Sequence, residues 1–133
     1  MIFRNIILDT LPDRVIDLDC LNYLENRGKG WVAIIEKAVI GFAIVDLEGH
    51  SVWALFLFPE YENKGFGKKL HTIMMDWYFS HTRESIWLKT APNTRAETFY
   101  NKNGWTETEY TPKELIFKMS YYEWTEYKMR LQG

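Results

Sequence analysis

Two glycines one residue apart, Gly65 and Gly67, stand where an apolar run gives way to an amphipathic one. The preceding residues, 55–58, predict a buried strand, which Pro59 ends because proline cannot donate to a strand ladder. The run from 66 to 79 predicts a helix whose apolar residues share one face: Phe66, Leu70, Ile73 and Trp77. Because unpaired N–H groups and the helix dipole favour an anion at a helix start, the chemistry indicated is phosphate binding.

Two common phosphate-binding loops are excluded by the spacing. A P-loop requires Gly-x4-Gly-Lys-Ser/Thr, and aligning it on Gly67-Lys68 puts Glu62 at the first glycine and Lys69 at the hydroxyl position. A dinucleotide fingerprint requires a third glycine where this chain has Leu70. The glycine turn therefore belongs to another class of phosphate site.

A second pair of residues with chemical potential is Asn93 and Tyr100, which are seven residues apart. Seven residues are nearly two helical turns, so within one helix both side chains would share a face. Ala96 between them would keep that face low enough for a thin ligand. Two structural roles stay open, since Asn93 could cap the helix and Tyr100 could cover the edge of the core.

Both patterns resemble signatures of the GCN5-related N-acetyltransferases, the GNAT superfamily. Residues 62–67, Glu-Asn-Lys-Gly-Phe-Gly, resemble the family's Gln/Arg-x-x-Gly-x-Gly/Ala run, with Glu62 in place of Gln or Arg. Residues 93–105 resemble its Asn-x-x-Ala and Tyr-x-Lys-x-Gly-Phe runs, with Trp105 in place of Phe. Together with the order of elements, the resemblance covers about residues 31–120.

The resemblance implies acetyl transfer from acetyl-CoA to an amine by direct attack, without a covalent enzyme intermediate and without a metal. It assigns the pyrophosphate to main-chain N–H groups of the glycine turn, and the pantetheine and acetyl oxygen to the preceding strand. The predicted cosubstrate-binding residues are Leu55, Phe56, Leu57, Asn63, Lys64, Gly65, Phe66, Gly67, Lys68 and Asn93. Lys64 and Lys68 are included because they are close to the glycine turn, and like Lys69 they could instead simply be solvated side chains. Tyr100 is the implied catalytic acid, which would protonate the departing thiolate.

A general base is not evident in the sequence. Family members often carry a carboxylate five residues before the position of Asn93, and here that residue is Leu88. The remaining candidates are His50, Asp46, Glu60 and His81, and a bound water or a weakly basic acceptor would serve equally. Glu62 and Leu88 favour an alternative function, a catalytically silent acyl-CoA-binding or scaffold domain of the same fold.

The elements around these motifs predict one mixed α/β domain over residues 1–133. Strands are expected at residues 2–8, 31–36, 39–46, 51–58, 85–90, 105–110 and 114–121. Helices are expected from residue 10 to a stop at Gly28-Lys29-Gly30, at 66–79 and at 92–103. Short turns between strands predict an antiparallel meander, and the helix at 66–79 predicts one parallel pair with a right-handed crossover. The sheet is thus expected to be mostly antiparallel and flanked by helices.

Composition narrows the class further. Of the 133 residues, 47% are hydrophobic, which predicts a globular protein, and a net charge of −2 argues against a nucleic-acid partner. Lone Cys20 excludes an internal disulfide, and no Cys/His spacing is typical of zinc. Without a signal peptide or an apolar run of about 18 residues, a cytoplasmic protein without a membrane partner is expected. The aromatic tail 121–127, which alternates like a strand, could join two copies into a homodimer by adding to a partner's sheet.

Overall fold

The computed structural model of the chain describes residues 2–5 and 27–132. The helix predicted from residue 10, the second half of the first predicted strand and Cys20 lie outside these residues. The chain divides into two compact units, residues 1–78 and 79–133. The single domain expected over 1–133 stays a prediction, and each unit is described by itself.

The first unit contains an antiparallel meander. Its strands, in spatial and chain order, are β1 (Ile2–Asn5), β2 (Gly28–Ile35), β3 (Ala38–Asp46) and β4 (Ser51–Leu57). The turn between β2 and β3 has two residues with positive φ, Glu36 at 49° and Lys37 at 71°. Two consecutive left-handed residues match the right-handed twist of paired strands, so the turn favours the tight hairpin. The predicted meander is confirmed.

The glycines before Trp31 are in a strand, and their prediction as a helix stop is wrong. Gly28 pairs with Asp46 and Gly30 pairs with Ile44, so both extend β2. A Cβ atom on Gly28 would overlap the carbonyl oxygen of Val45. The glycine is needed here because two backbones approach closely. From the sequence alone, a glycine needed for close approach cannot be distinguished from a glycine that ends a helix.

Helix α1 (Phe66–His81) follows β4, as predicted. In the first unit its fully buried side chains are Leu70, His71, Met74, Met75 and Tyr78. The predicted stripe is therefore displaced, since Phe66, Ile73 and Trp77 are only half-buried. The ring of Trp77 meets that of Trp31 edge-on at 5.7 Å, so this side of the helix packs on β2.

The second unit is a three-stranded antiparallel sheet with two helices. Its elements are β5 (Ile86–Thr90), α2 (Arg95–Lys102), β6 (Thr106–Tyr110), β7 (Leu115–Met119) and α3 (Tyr121–Gln132). Strand β7 lies between β5 and β6 and pairs antiparallel with both. Large side chains from every one of these elements except β6 form a buried core: Ile86, Leu88, Tyr100, Leu115, Phe117, Met119, Trp124 and Tyr127. The predicted mixed α/β class is confirmed.

The aromatic tail is the helix α3, so its prediction as a strand that augments a partner's sheet is wrong. The hydroxyl of Ser120 accepts the N–H of Glu123 at 3.0 Å, and the Glu123 carboxylate accepts the N–H of Ser120 at 2.9 Å. This reciprocal pair is a capping box, which starts a helix. Trp124 and Tyr127, three residues apart, are buried, as expected for one helical face.

Candidate active site

Strand β4 carries a bulge just before the predicted cosubstrate-binding residues. Ile44 pairs with Ala54 while its neighbour Val45 pairs with Val52, so Trp53 is an extra residue opposite β3. A bulge of this kind bends the strand and reorients the residues beside it. The side chain of Trp53 is correspondingly exposed. Its sequence neighbourhood reads as a regular apolar strand and contains no signal for the extra residue.

The ladder between β3 and β4 determines where the main-chain donors of β4 point. The N–H of Phe58 donates to the carbonyl oxygen of Ile40 at 2.9 Å. Because hydrogen bonding alternates along an antiparallel pair, the N–H of Phe56 also points to β3, whereas those of Leu55 and Leu57 point to the opposite edge. Of the three residues predicted on this strand, two therefore present donors that β3 does not use.

The glycine turn begins with a short 3₁₀ helix, Pro59–Tyr61. Two residues with left-handed backbone conformation follow this helix. Asn63 has φ of 62° and Gly65 has φ of 86°, both in the left-handed region. A Cβ atom on Gly65 would meet no heavy atom within 4 Å. The glycine is required by its backbone conformation, and the space beside it is open for a ligand.

Helix α1 then presents unpaired donors next to this open space. Its first backbone bond joins the N–H of Lys69 to the carbonyl oxygen of Gly65 at 3.1 Å, so the N–H groups of Phe66, Gly67 and Lys68 precede the ladder. The first helical turn contains no acidic residue. The ammonium side chains of Lys64, Lys68 and Lys69 are exposed there.

The positive helix end and three lysines favour an anion in this turn. Glu62 is the opposing feature, because its half-buried carboxyl group immediately precedes the turn. The structure thus brings the predicted residues Asn63, Lys64, Gly65, Phe66, Gly67 and Lys68 together in one exposed turn at the end of β4.

In the second unit, Thr94 caps helix α2 in place of Asn93. The hydroxyl of Thr94 accepts the N–H of Glu97 at 3.3 Å and donates to the carbonyl oxygen of Ala91 at 2.8 Å. Asn93 lies before the cap, is exposed, and has φ of 61°. The argument that Asn93 and Tyr100 share one helix face is therefore wrong. Thr94-x-x-Glu97 matches the capping-box pattern, which would have identified the cap from sequence.

Tyr100 lies in the last turn of α2 with only 6% of its surface exposed. Its ring meets those of Phe99, Trp105 and Phe117 at centroid distances of 5.4, 5.5 and 5.9 Å. Burial raises the pKa of the Tyr100 phenol well above its ordinary value. The phenol is therefore protonated at neutral pH, as an acid must be, but it holds that proton more tightly than a free tyrosine does.

The four candidate bases occupy different surroundings. Asp46 is buried, its carboxylate lies 3.1 Å from the Arg27 guanidinium, and it accepts the N–H of Gly49 at 2.9 Å. Nδ1 of His50 lies 2.8 Å from the hydroxyl of Tyr78. The other two, Glu60 and His81, are exposed. Asp46 is the least suited of the four, since it already serves an ion pair and the β3–β4 turn.

No group of three or more His, Cys, Asp or Glu side chains within residues 2–5 and 27–132 could hold a metal ion. Among the helices that the structure describes, none is long and apolar enough to cross a bilayer.

Comparison with known families gives one match by sequence. The model of the acetyltransferase (GNAT) family matches residues 3–105, which includes the glycine turn and helix α2 and ends before α3. No curated protein matches the chain significantly.

Solved structures share the fold. The PaiA N-acetyltransferase from Thermoplasma acidophilum, in complex with coenzyme A, is 21% identical with a TM-score of 0.69, over 77% of this chain and 67% of that one. A GNAT family acetyltransferase from Staphylococcus aureus Mu50 is 21% identical with a TM-score of 0.65, over 80% and 81%. One from Elizabethkingia anophelis, with acetyl-CoA bound, is 11% identical with a TM-score of 0.70, over 90% and 97%. At these identities the likeness establishes the fold.

Proposed function

Because the chain belongs to the acetyltransferase (GNAT) family, and is thus of the N-acetyltransferase class, we propose that it transfers an acetyl group from acetyl-CoA to an amine. The observation that carries the proposal is the glycine turn, an exposed helix start with left-handed Asn63 and Gly65 and open space at Gly65. The complexes of the Thermoplasma acidophilum and Elizabethkingia anophelis proteins with coenzyme A and acetyl-CoA support the choice of cosubstrate.

The turn would hold the pyrophosphate through main-chain donors and positive charge. The N–H groups of Phe66, Gly67 and Lys68 are the donors, and hydrogen bonds to a charged acceptor contribute about 1.5–3 kcal/mol each. The helix dipole adds roughly 0.3–1 kcal/mol for each charge. Exposed lysines contribute less to the binding free energy, and their contribution falls as the salt concentration rises. Asn63 and Lys64 complete the turn, and Asn93 is kept as a proposed contact to the cosubstrate.

The acyl transfer itself needs a donor for the developing oxyanion and a proton for the leaving thiolate. The amine attacks the thioester carbon, a C–N bond forms, the C–S bond breaks, and the nitrogen releases one proton, which balances the proton delivered to sulfur. We assign the oxyanion to an N–H of Leu55 or Leu57, which point away from β3. The N–H of Phe56 points to β3, so Phe56 stays a predicted contact to the cosubstrate without a main-chain donor role. Tyr100 is assigned as the acid that protonates sulfur, which its raised pKa permits because the phenol is protonated before the reaction.

The acceptor amine must be neutral to attack. Deprotonating a lysine-type amine at neutral pH costs about 4–5 kcal/mol, while an α-amine costs about 1 kcal/mol. Asp46 already serves an ion pair and Leu88 cannot accept a proton, which leaves His50, Glu60 and His81 as candidate bases. An acceptor of low pKa would need none of them. The acceptor is therefore proposed as a weakly basic amine of a small molecule or a peptide. The protein itself is proposed to be cytoplasmic.

The alternative function, an acyl-CoA-binding domain without turnover, is favoured by one observation. Tyr100 exposes 6% of its surface, so little of the phenol can meet a thioester in this state. Binding at the glycine turn would be unaffected by that burial. Turnover would be lost while affinity remained.

The first experiment measures binding. Titration calorimetry with acetyl-CoA is expected to show saturation, and Lys68→Ala/Lys69→Ala is expected to weaken binding roughly three- to tenfold at low salt and less at high salt. Lys113→Ala, which removes one exposed lysine from the turn between β6 and β7, is the control. Absence of binding at millimolar acetyl-CoA would refute the proposal.

The second experiment measures turnover. Release of the CoA thiol over a panel of amines is expected to be fastest for amines of low pKa, and Tyr100→Phe is expected to lower kcat roughly 100-fold. Tyr110→Phe removes the hydroxyl of a tyrosine that is 68% exposed and is the control. Binding without any thiol release would establish the alternative function instead.

A homodimer through the C-terminal tail remains a proposal, now with a helical surface. Met129 and Leu131 on α3 are 66% and 50% exposed. Light scattering of the wild type and of Met129→Asp/Leu131→Asp tests it. A monomer in both cases would refute the dimer.

A further inference from the structure

Helix α3 is joined to the end of helix α2 by one buried hydrogen bond. The hydroxyl of Tyr127 donates to Oδ1 of Asn103 at 2.6 Å. Both side chains are buried, with Tyr127 6% and Asn103 7% exposed. A buried hydrogen bond of this length between uncharged groups holds both side chains in one orientation. If either side chain turned away, a polar group would be left buried without a hydrogen-bond partner, which costs free energy.

Asn103 in turn closes the last turn of α2, which carries Tyr100. Its Nδ2 donates to the carbonyl oxygen of Phe99 at 2.8 Å. Its backbone N–H lies 3.0 Å from the same oxygen and 3.2 Å from that of Tyr100, which also accepts the N–H of Trp105 at 3.1 Å. The carbonyl of Tyr100 is therefore fixed by the residue that Tyr127 orients.

The ring of Tyr127 also lies beside Gly104, which follows the C-cap residue of α2. Gly104 has φ of 90°, and a Cβ atom there would lie 3.0 Å from two atoms of the Tyr127 ring. The Tyr127 ring also stacks on Trp124 at 5.7 Å. Tyr127 is thus packed against its own helix and leaves no room for a side chain at the residue that follows Asn103.

We propose that Tyr127 is a positioning residue for Tyr100, acting through Asn103, so that helix α3 sets the geometry of the proposed acid. The inference rests on the proposed function for its kinetic consequence, but the coupling itself does not depend on turnover. Without the Tyr127 hydroxyl, Oδ1 of Asn103 is buried and unsatisfied, and its amide reorients to find a partner. The bond from Nδ2 to Phe99 is then lost and the last turn of α2 loosens around Tyr100.

The kinetic test compares Tyr127→Phe with Tyr122→Phe. Both variants remove a phenol hydroxyl from α3, but that of Tyr122 is exposed and donates to Glu126 at 2.9 Å. Tyr127→Phe is expected to lower kcat roughly three- to tenfold with KM for acetyl-CoA within about twofold, because small misplacement of an acid slows the chemical step. Tyr122→Phe is expected to leave both constants unchanged. Equal kcat for wild type and Tyr127→Phe would overturn the proposal.

A double-mutant cycle separates positioning from loss of stability. In a Tyr100→Phe background, Tyr127→Phe is expected to have no further effect on kcat, because the hydroxyl it positions is already absent. The same fold-loss in both backgrounds would overturn the inference. So would a Tyr100→Phe variant with wild-type kcat.

A spectroscopic readout distinguishes failure of the coupling from failure of the proposed function. In protein labelled with 13C at the tyrosine Cζ, the Tyr100 signal is assigned by its absence in Tyr100→Phe. It is expected to shift in Tyr127→Phe and to stay in place in Tyr122→Phe. An unshifted Tyr100 signal would refute the coupling whether or not the protein releases thiol, whereas a shifted signal without thiol release would refute only the acetyl transfer.

Discussion

Loss of stability in mild acid is the consequence of one histidine in the first unit. The His71 side chain in helix α1 is fully buried. Burial lowers the pKa of its imidazole from 6.5 to about 3, although the negative charge of Asp76 raises it in part. The folded protein therefore keeps His71 neutral where the unfolded chain would protonate it.

The magnitude follows from the difference in pKa. Above pH 6.5 neither state binds the proton, so His71 adds no pH dependence there. Between pH 6.5 and about 3 the unfolded chain binds one more proton, and each pH unit lowers the free energy of unfolding by about 1.4 kcal/mol. Near pH 5 the loss is about 2 kcal/mol, a large share of the stability of a small protein.

Urea titrations near pH 7.5 and near pH 5, followed by tryptophan fluorescence, measure this loss. His71→Leu replaces the imidazole by an apolar side chain and is expected to lose about 2 kcal/mol less than the wild type between the two pH values. His81→Gln is the control, because it removes an exposed histidine from the same helix and leaves His71 in place. The same loss in the wild type and in His71→Leu would refute the reasoning.

Changes at Gly104, Ser120 and Glu123 test the second unit and the cap of helix α3. Gly104→Ala is expected to lower the free energy of unfolding by about 3 kcal/mol, and Gly65→Ala by about 1 kcal/mol. Both glycines have left-handed φ, but only Gly104 faces the Tyr127 ring. Equal losses in urea titration would contradict this. Ser120→Ala is expected to cost about 1 kcal/mol by losing a cap. Burial raises the pKa of Glu123, but hydrogen bonds from a threonine hydroxyl and from Ser120 outweigh it and lower that pKa. The cap therefore stabilises the protein fully at pH values above the ordinary carboxyl pKa. Its contribution to stability falls as the pH decreases through the lowered pKa of Glu123. Glu123→Gln is expected to remove this pH dependence.

The features that local chemistry determines were predictable from the sequence. A glycine pair between an apolar run and an amphipathic run predicts a strand, a turn and a helix start, and the structure has all three at residues 51–81. The meander was predictable because its connecting turns are too short for any other connection. Family membership, also predicted, is shown by a match over residues 3–105, which include these elements.

The sequence predictions were wrong where one sequence pattern fits two structures and contacts with distant residues decide between them. Gly28 and Gly30 read as a helix stop, yet both lie in β2, and Gly28 is needed for a close approach to β3. The tail alternates like a strand, but the cap at Ser120 and the burial of Trp124 and Tyr127 favour a helix. The burial of His71, like the roles of Asn103 and Tyr127, depends on packing that no local pattern encodes.

The extra residue in β4 can be removed without changing any other residue pair of the β3–β4 ladder. On either side of Trp53 the partners run in sequence, with Val52 opposite Val45 and Ala54 opposite Ile44. A chain shortened by this one tryptophan would therefore form an uninterrupted ladder in the same alignment. The bend that a bulge introduces and the pairing of β3 with β4 are thus separable properties of this chain.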